Sequence, residues 1–118
     1  MTNKILQQST LLCVAAHIGG LYYYTQTPLY YKIHLFIGLT LSLANHTYTS
    51  RLAQLLDRAY MTASIPATLL IAPTLFLQLG VVASVALYIY GKLAQATYIH
   101  SCAHYTLTVV HLGILREF

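Results

Sequence analysis

The sequence has 118 residues, of which 58 % are hydrophobic and 7 % are charged, and its mean hydropathy is +0.64. This composition excludes a soluble globular domain, which carries about 25 % charged residues, and a disordered chain, which is polar and strongly charged. The net charge of +4 comes from scattered basic residues, a pattern typical of membrane flanks and not of a nucleic-acid-binding surface. The sequence therefore predicts an integral membrane protein that contacts lipids and no nucleic acid.

Charged residues divide the chain into four charge-free runs, at 5–31, 33–50, 59–91 and 93–115. A helix needs about 20 mostly apolar residues to cross the hydrocarbon core of a bilayer. The runs predict one all-α domain over residues 1–118, a bundle of three or four transmembrane helices. We place these helices near 5–24, 30–56, 62–90 and 95–115. The last segment either spans the membrane or lies at its surface.

Prolines mark two positions where the helices are expected to break or bend. Pro28 ends the segment Thr25-Gln26-Thr27-Pro28, which predicts a loop because the residue before a proline disfavours helix. The run 59–91 is long for one untilted span and short for two spans with a turn. Pro66 and Pro73 therefore predict a turn or kink early in this run, followed by a regular span from Leu75.

Ionisable residues inside the predicted spans are the first candidates for a site, because such residues are costly in a bilayer. Ser42 and His46 are one helical turn apart, and Asp57 returns to the same face about 16 Å farther along the predicted second helix. This stripe predicts a ligand-type side chain at depth and a carboxylate near the surface. In the alternative interpretation, His46 only hydrogen-bonds another helix, and Asp57 pairs with Arg58 or caps the next helix.

A second stripe is formed by His100, His104 and His111, since steps of four and eleven residues return to one helix face. Two histidines four residues apart on a helix can ligate one metal ion. The alternative is a polar surface at the membrane interface. His17 and His34 are expected to be packed or interfacial histidines.

The segment from His46 to Asp57 reads HTYTSRLAQLLD and follows LTLSLAN. It resembles the second-helix signature of the membrane anchors of succinate dehydrogenase, respiratory complex II, and the chain is similar in length and layout to the smaller anchor subunit. The resemblance implies that His46 ligates haem b and that the second axial ligand comes from the partner anchor. It also implies a ubiquinone site near Asp57.

On this resemblance, the quinone surface consists of Asp57 with Arg58, Tyr60 or Arg51, and Ser42 lies near the haem or the quinone. Arg58 departs from the family, which has tyrosine at that position. The chain would not itself catalyse succinate oxidation in the tricarboxylic acid cycle. It would pass electrons from the iron–sulfur subunit to quinone, with the flavoprotein and a second anchor as further partners. The location would be the mitochondrial inner membrane or a bacterial plasma membrane.

Two alternatives stay open at this point. The first is an accessory subunit of another respiratory complex that holds no cofactor, in which the histidines bond between helices. The second rests on Ser42-x3-His46, Asp57 and His100-x3-His104, which are similar to the zinc site of the seven-helix alkaline ceramidase and progestin-receptor superfamily. That resemblance implies a membrane hydrolase in which zinc holds the hydrolytic water. It requires the run 59–91 to contain two short spans, because only then do these residues share one side of the bundle.

Overall fold

The computed structural model describes residues 3–48 and 50–118. The described chain contains five helices and no strands. They are α1 (Lys4–Tyr23), α2 (Leu29–Thr47), α3 (Arg51–Ile71), α4 (Leu75–Leu93) and α5 (Thr97–Glu117). The all-α prediction is confirmed. The prediction of three or four helices is wrong, because the described chain forms five.

The additional helix arises because the predicted second helix, 30–56, is two helices. α2 ends at Thr47, and α3 begins at Arg51. Ser50 caps the new helix, since its hydroxyl oxygen accepts a hydrogen bond from the Ala53 N–H at 3.3 Å, and serine is a favoured residue at this position. Asp57 therefore lies on α3. The prediction that His46 and Asp57 share one helix face with about 16 Å between them is wrong.

The run 59–91 is likewise divided between two helices. Pro66 lies inside α3 and does not end it, whereas the chain leaves the helix at Ala72 and Pro73. α4 then begins at Leu75, as the sequence predicts. The loop before α2 also lies where Pro28 predicts it, because α1 ends at Tyr23 and α2 begins at Leu29.

The five helices form a ring in which each packs on its neighbours in the chain, and α5 packs back on α1. The most extensive contact joins α4 to α5, and the smallest joins α3 to α4. Hydrogen bonds at one end show which helix ends meet there. Asn3 Nδ2 donates to Thr97 Oγ1 at 3.3 Å, and Gln7 Nε2 donates to Thr47 Oγ1 at 3.4 Å. The start of α1, the end of α2 and the start of α5 therefore lie together, and the short connections bring the start of α3 and the end of α4 to the same end.

Gly91 lets α4 and α5 approach closely at this end of the ring. A Cβ atom on Gly91 would lie 2.7 Å from the backbone nitrogen of His100, a distance that backbone atoms cannot accommodate without moving. The turn that follows contains Gln95 in the left-handed region, at φ 52°. Together these residues set the position from which α5 starts.

Buried apolar residues concentrate at the opposite end, around Tyr31, Leu35, Val81 and Ile114. Elsewhere the interior is unusually polar. Among the described residues, 12 polar or charged residues are buried, against 11 hydrophobic ones. Within the described chain, α4 is the one helix whose length and hydropathy are sufficient to cross a membrane.

Candidate metal centre

Three histidine side chains meet where α2 ends and α5 begins. His46 lies in the last turn of α2, and His100 and His104 lie in the first two turns of α5. Each offers a ring nitrogen, and these nitrogens lie within 4.8 Å of one another. The ring centroids are 4.9 to 5.6 Å apart. Within the part of the chain that the structure describes, this is the one cluster of three or more metal-binding side chains.

Sequence spacing predicts that His100 and His104 share a helix face, and the fold adds His46 from a helix that lies more than fifty residues earlier. His111, which the same stripe includes, does not join this cluster. Lying seven residues beyond His104, it is about 10 Å farther along the helix axis. The first candidate site therefore combines parts of the two predicted stripes.

Ser9 on α1 fixes which nitrogen of His104 is free to bind a metal. The Ser9 hydroxyl donates its hydrogen to the carbonyl oxygen of Leu6 at 2.9 Å. The hydroxyl oxygen therefore accepts a hydrogen bond from His104 Nδ1–H, also at 2.9 Å. This leaves a lone pair on His104 Nε2. Metal-ligating histidines commonly donate their second ring N–H to such an acceptor.

The donor set fits a divalent transition metal. Three imidazoles with one open position are the ligands of catalytic zinc in one of its standard arrangements, and imidazole also binds copper, iron and nickel. At a zinc–nitrogen distance of about 2.0 Å, tetrahedral ligand atoms lie roughly 3.3 Å apart. Ligation therefore requires the three nitrogens to approach one another by up to about 1.5 Å.

Asp57 on α3 is linked to the end of α2 that carries His46, because α2 packs on α3. It is 6 % exposed, and its Oδ2 accepts a hydrogen bond from Asn45 Nδ2 at 2.7 Å. Asn45 precedes His46, so one hydrogen bond ties the carboxylate to the residue next to a candidate ligand. The sequence singled out neither Asn45 nor Ser9, since both act through tertiary contacts that no local pattern records.

A cavity of about 340 Å³ lies inside the ring and takes its lining from all five helices. This volume lies in the range of small-molecule sites. His104 brings the cluster into contact with the cavity. Four other predicted site residues also line it, namely Ser42, Asp57, Arg58 and Tyr60. Arg51 is instead exposed at the first residue of α3.

The histidines predicted as packed or interfacial line the same cavity farther from the metal cluster. His17 and His34 are on the lining, and the ring centroid of His111 lies 5.5 Å from that of His17 and 5.8 Å from that of His34. His111 Nδ1 is hydrogen-bonded to the hydroxyl group of Tyr31. This distal histidine group (His17, His34 and His111) is a feature that sequence reasoning did not assemble.

Comparison with models of known protein families, with curated proteins and with solved structures found no significant match.

Proposed function

We propose that this chain is a zinc-dependent hydrolase of a membrane, acting on an ester or amide bond of an amphipathic substrate. The observation that carries the proposal is the convergence of His46, His100 and His104, of which His104 lines a cavity that Ser42 and Asp57 also line. These five residues are the set whose spacing resembles the alkaline ceramidase superfamily.

The direction of the helices supports this choice. The resemblance requires His46, Asp57 and His100 to lie on one side of the bundle. They can do so only if the chain forms two short helices in the run 59–91. α3 and α4 provide them, with a break at Ala72 and Pro73. The division of this region into two helices is therefore compatible with the proposed site.

The distribution of polar and apolar residues supports a membrane location. Each helix has 19 to 21 residues, close to the roughly 20 residues that span a bilayer core. Every helix places large apolar side chains on the outside. Five of them, one from each helix, serve as examples and are between 63 % and 88 % exposed. They are Ile18, Phe36, Leu70, Phe76 and Val109. Buried ionisable residues around a cavity, within an apolar exterior, are typical of membrane proteins with an internal site.

The chain supplies the groups that hydrolysis requires. A zinc ion with an open coordination position activates water and polarises a carbonyl group. Asp57 is positioned by Asn45 through Oδ2, so its Oδ1 is available to take a proton from the attacking water. The same carboxyl group then returns that proton to the leaving amine or alcohol, as general acid–base catalysis requires. Water adds to the carbonyl carbon, and the carbon–nitrogen or carbon–oxygen bond breaks.

The succinate dehydrogenase anchor remains an untested prediction. The rings of His100 and His104 lie 5.6 and 5.0 Å from the ring of His46, centroid to centroid. A porphyrin bound to His46 would have to occupy the space next to that imidazole, where the other two rings lie. The packing therefore favours a single ion at His46 over haem.

Metal content tests the proposal directly. We expect protein purified in mild detergent without chelators to contain about one zinc ion per chain by elemental mass spectrometry. His100→Ala should remove it, and His111→Ala, the same change outside the cluster on the same helix, should not. A wild-type protein that stays metal-free after incubation with zinc would refute the proposal. A b-haem absorbance that His46→Ala abolishes would support the complex II anchor in its place.

A further inference from the structure

We propose that the distal histidine group binds a hydroxyl group at the far end of an elongated substrate whose reacting carbonyl lies at the metal centre. This assignment rests on the proposed function, because it takes the metal centre as the reacting end of the cavity. Its own basis is two ring nitrogens, His17 Nε2 and His34 Nε2, that keep a lone pair; among the described residues the first is buried without a hydrogen-bond partner.

His17 presents the clearest unmet hydrogen bond. Its Nδ1 lies 2.7 Å from the carbonyl oxygen of Cys13, and a carbonyl oxygen only accepts, so this nitrogen carries the hydrogen. The Nε2 atom is therefore a lone-pair acceptor, and it is buried with no hydrogen-bond partner among the described residues. The side chain is 3 % exposed and lines the cavity. A buried acceptor without a donor is unfavourable, and a donor on a ligand would relieve this cost.

His34 offers a second acceptor by the same reasoning. The Tyr60 hydroxyl donates its hydrogen to the backbone oxygen of His34 at 3.0 Å. The Tyr60 oxygen therefore accepts from His34 Nδ1–H at 2.8 Å, and His34 Nε2 keeps its lone pair. Both histidines thus accept hydrogen bonds at their Nε2 atoms. Neutral acceptors of this kind are suited to a hydroxyl donor, which brings no charge into an apolar interior.

The remaining cavity lining defines the rest of the substrate. His104 and His111 are about 10 Å apart along the axis of α5. His34 and His46 are about 18 Å apart along the axis of α2. Between these polar ends the cavity surface is mainly apolar, with Leu39, Ile65 and Leu107 among the lining residues. Hydroxyl groups also lie there, and those of Ser84 and Thr108 donate to backbone carbonyls of their own helices. An apolar chain with a polar group at each end matches this pattern, and a chain with one polar end leaves the distal acceptors without donors.

The distal histidines do not form a second metal-binding triad. Within the described residues, His46, His100 and His104 are the one group of three or more such ligand atoms within 4.8 Å of one another. His111 Nδ1 is also engaged by Tyr31. A ligand hydroxyl needs only one or two acceptors, so it is the occupant that this geometry admits.

Two hydroxamates test the assignment, because a hydroxamate group binds zinc and anchors one end of the probe. The binding of decanohydroxamic acid and 10-hydroxydecanohydroxamic acid to the zinc-loaded protein is measured by calorimetry. We expect the terminal hydroxyl to tighten binding about fivefold, the effect of one hydrogen bond to a neutral acceptor. In His17→Phe and in His34→Phe the ratio should fall towards one. Met61→Leu, which changes the lining without removing an acceptor, should keep the wild-type ratio.

The outcomes separate this assignment from the proposed function. Equal affinity of the two probes for the wild type, or an unchanged ratio in both histidine variants, would overturn the distal hydroxyl site and leave the metal centre intact. If neither hydroxamate binds the zinc-loaded protein, the metal centre does not accept such ligands, and both proposals are wrong. Circular dichroism of each variant confirms that the helices are retained.

Discussion

Ser9 Oγ lies 2.9 Å from His104 Nδ1, across the contact between α1 and α5. The two residues are 95 positions apart in the chain, and both are largely or fully buried. Because the serine hydrogen is already donated to Leu6, the bond leaves His104 in one tautomer, with the lone pair on Nε2. Ser9 thus orients the imidazole of a candidate metal ligand.

Removing this support should weaken metal binding. We expect Ser9→Ala to lower zinc affinity by about 10- to 100-fold, the effect typical of losing such a supporting hydrogen bond. Competition with a chelator of known affinity measures the change. Ser84→Ala is the matched control, because Ser84 is also buried and also donates to a carbonyl three residues earlier, that of Val81. Equal losses in the two variants would show that the effect is not specific to His104.

Asp57→Asn should separate catalysis from metal binding. The amide keeps the size of the side chain and cannot accept a proton, so hydrolysis of a p-nitrophenyl ester in detergent micelles should fall at least about 100-fold. Zinc content should stay at the wild-type level, because Asp57 is not among the three ligand residues. Loss of zinc in proportion to activity would mean that Asp57 acts on the metal site itself.

Gly91→Ala should disturb the start of α5. The added Cβ would lie 2.7 Å from the His100 backbone nitrogen, and forcing the helices apart is expected to lower the free energy of unfolding by about 1–3 kcal/mol. Because His100 moves with the backbone, zinc affinity should fall as well. Denaturant titration and chelator competition measure the two effects.

Gly19→Ala is the control for this substitution. A Cβ on Gly19 would meet nothing within 4 Å, and alanine favours helix over glycine by up to about 1 kcal/mol. The protein should therefore become slightly more stable, with unchanged zinc affinity. A destabilised Gly19→Ala protein, or a Gly91→Ala protein with wild-type stability, would contradict the packing described here.

Metal binding should stabilise the fold in a pH-dependent way. Zinc at 100 times its dissociation constant stabilises a folded protein by about 2.7 kcal/mol if the unfolded chain does not bind it. A chelator should remove this contribution. Imidazole binds metal only when it is neutral, so the zinc-dependent rise in melting temperature should shrink as the pH is lowered and persist at neutral and mildly alkaline pH. A shift that is the same at every pH, or that survives in His46→Ala, would place the metal elsewhere.

Tyr31→Phe should destabilise the end of the bundle opposite the metal centre. Tyr31 is fully buried, and its hydroxyl group is the hydrogen-bond partner of His111 Nδ1. Losing that partner inside the core should cost about 1–3 kcal/mol, measured by denaturant unfolding in detergent. Tyr30→Phe is the control, since Tyr30 is 58 % exposed and its change should have little effect. Equal stability of the two variants would show that the bond contributes nothing measurable.

Local signals in the sequence predict much of the secondary structure. The loop before α2 and the start of α4 follow from Pro28 and Pro73, since proline restricts the backbone wherever it occurs. The connection between α2 and α3 contains neither glycine nor proline. A prediction from hydropathy and charge therefore continues one helix through it. Ser50, directly before Arg51, is the local signal that could have located the start of α3, because serine is favoured at the position before the first residue of a helix.

The sequence alone determined that the protein is all-α and that His100 and His104 share a helix face. Those properties depend on composition and on a helical period of a few residues. Only the tertiary structure decided that His46 joins them, that Asp57 lies on a different helix, and that His17, His34 and His111 meet. These contacts depend on how whole helices pair, which is set by packing summed over many residues far apart in the chain and not by any short pattern.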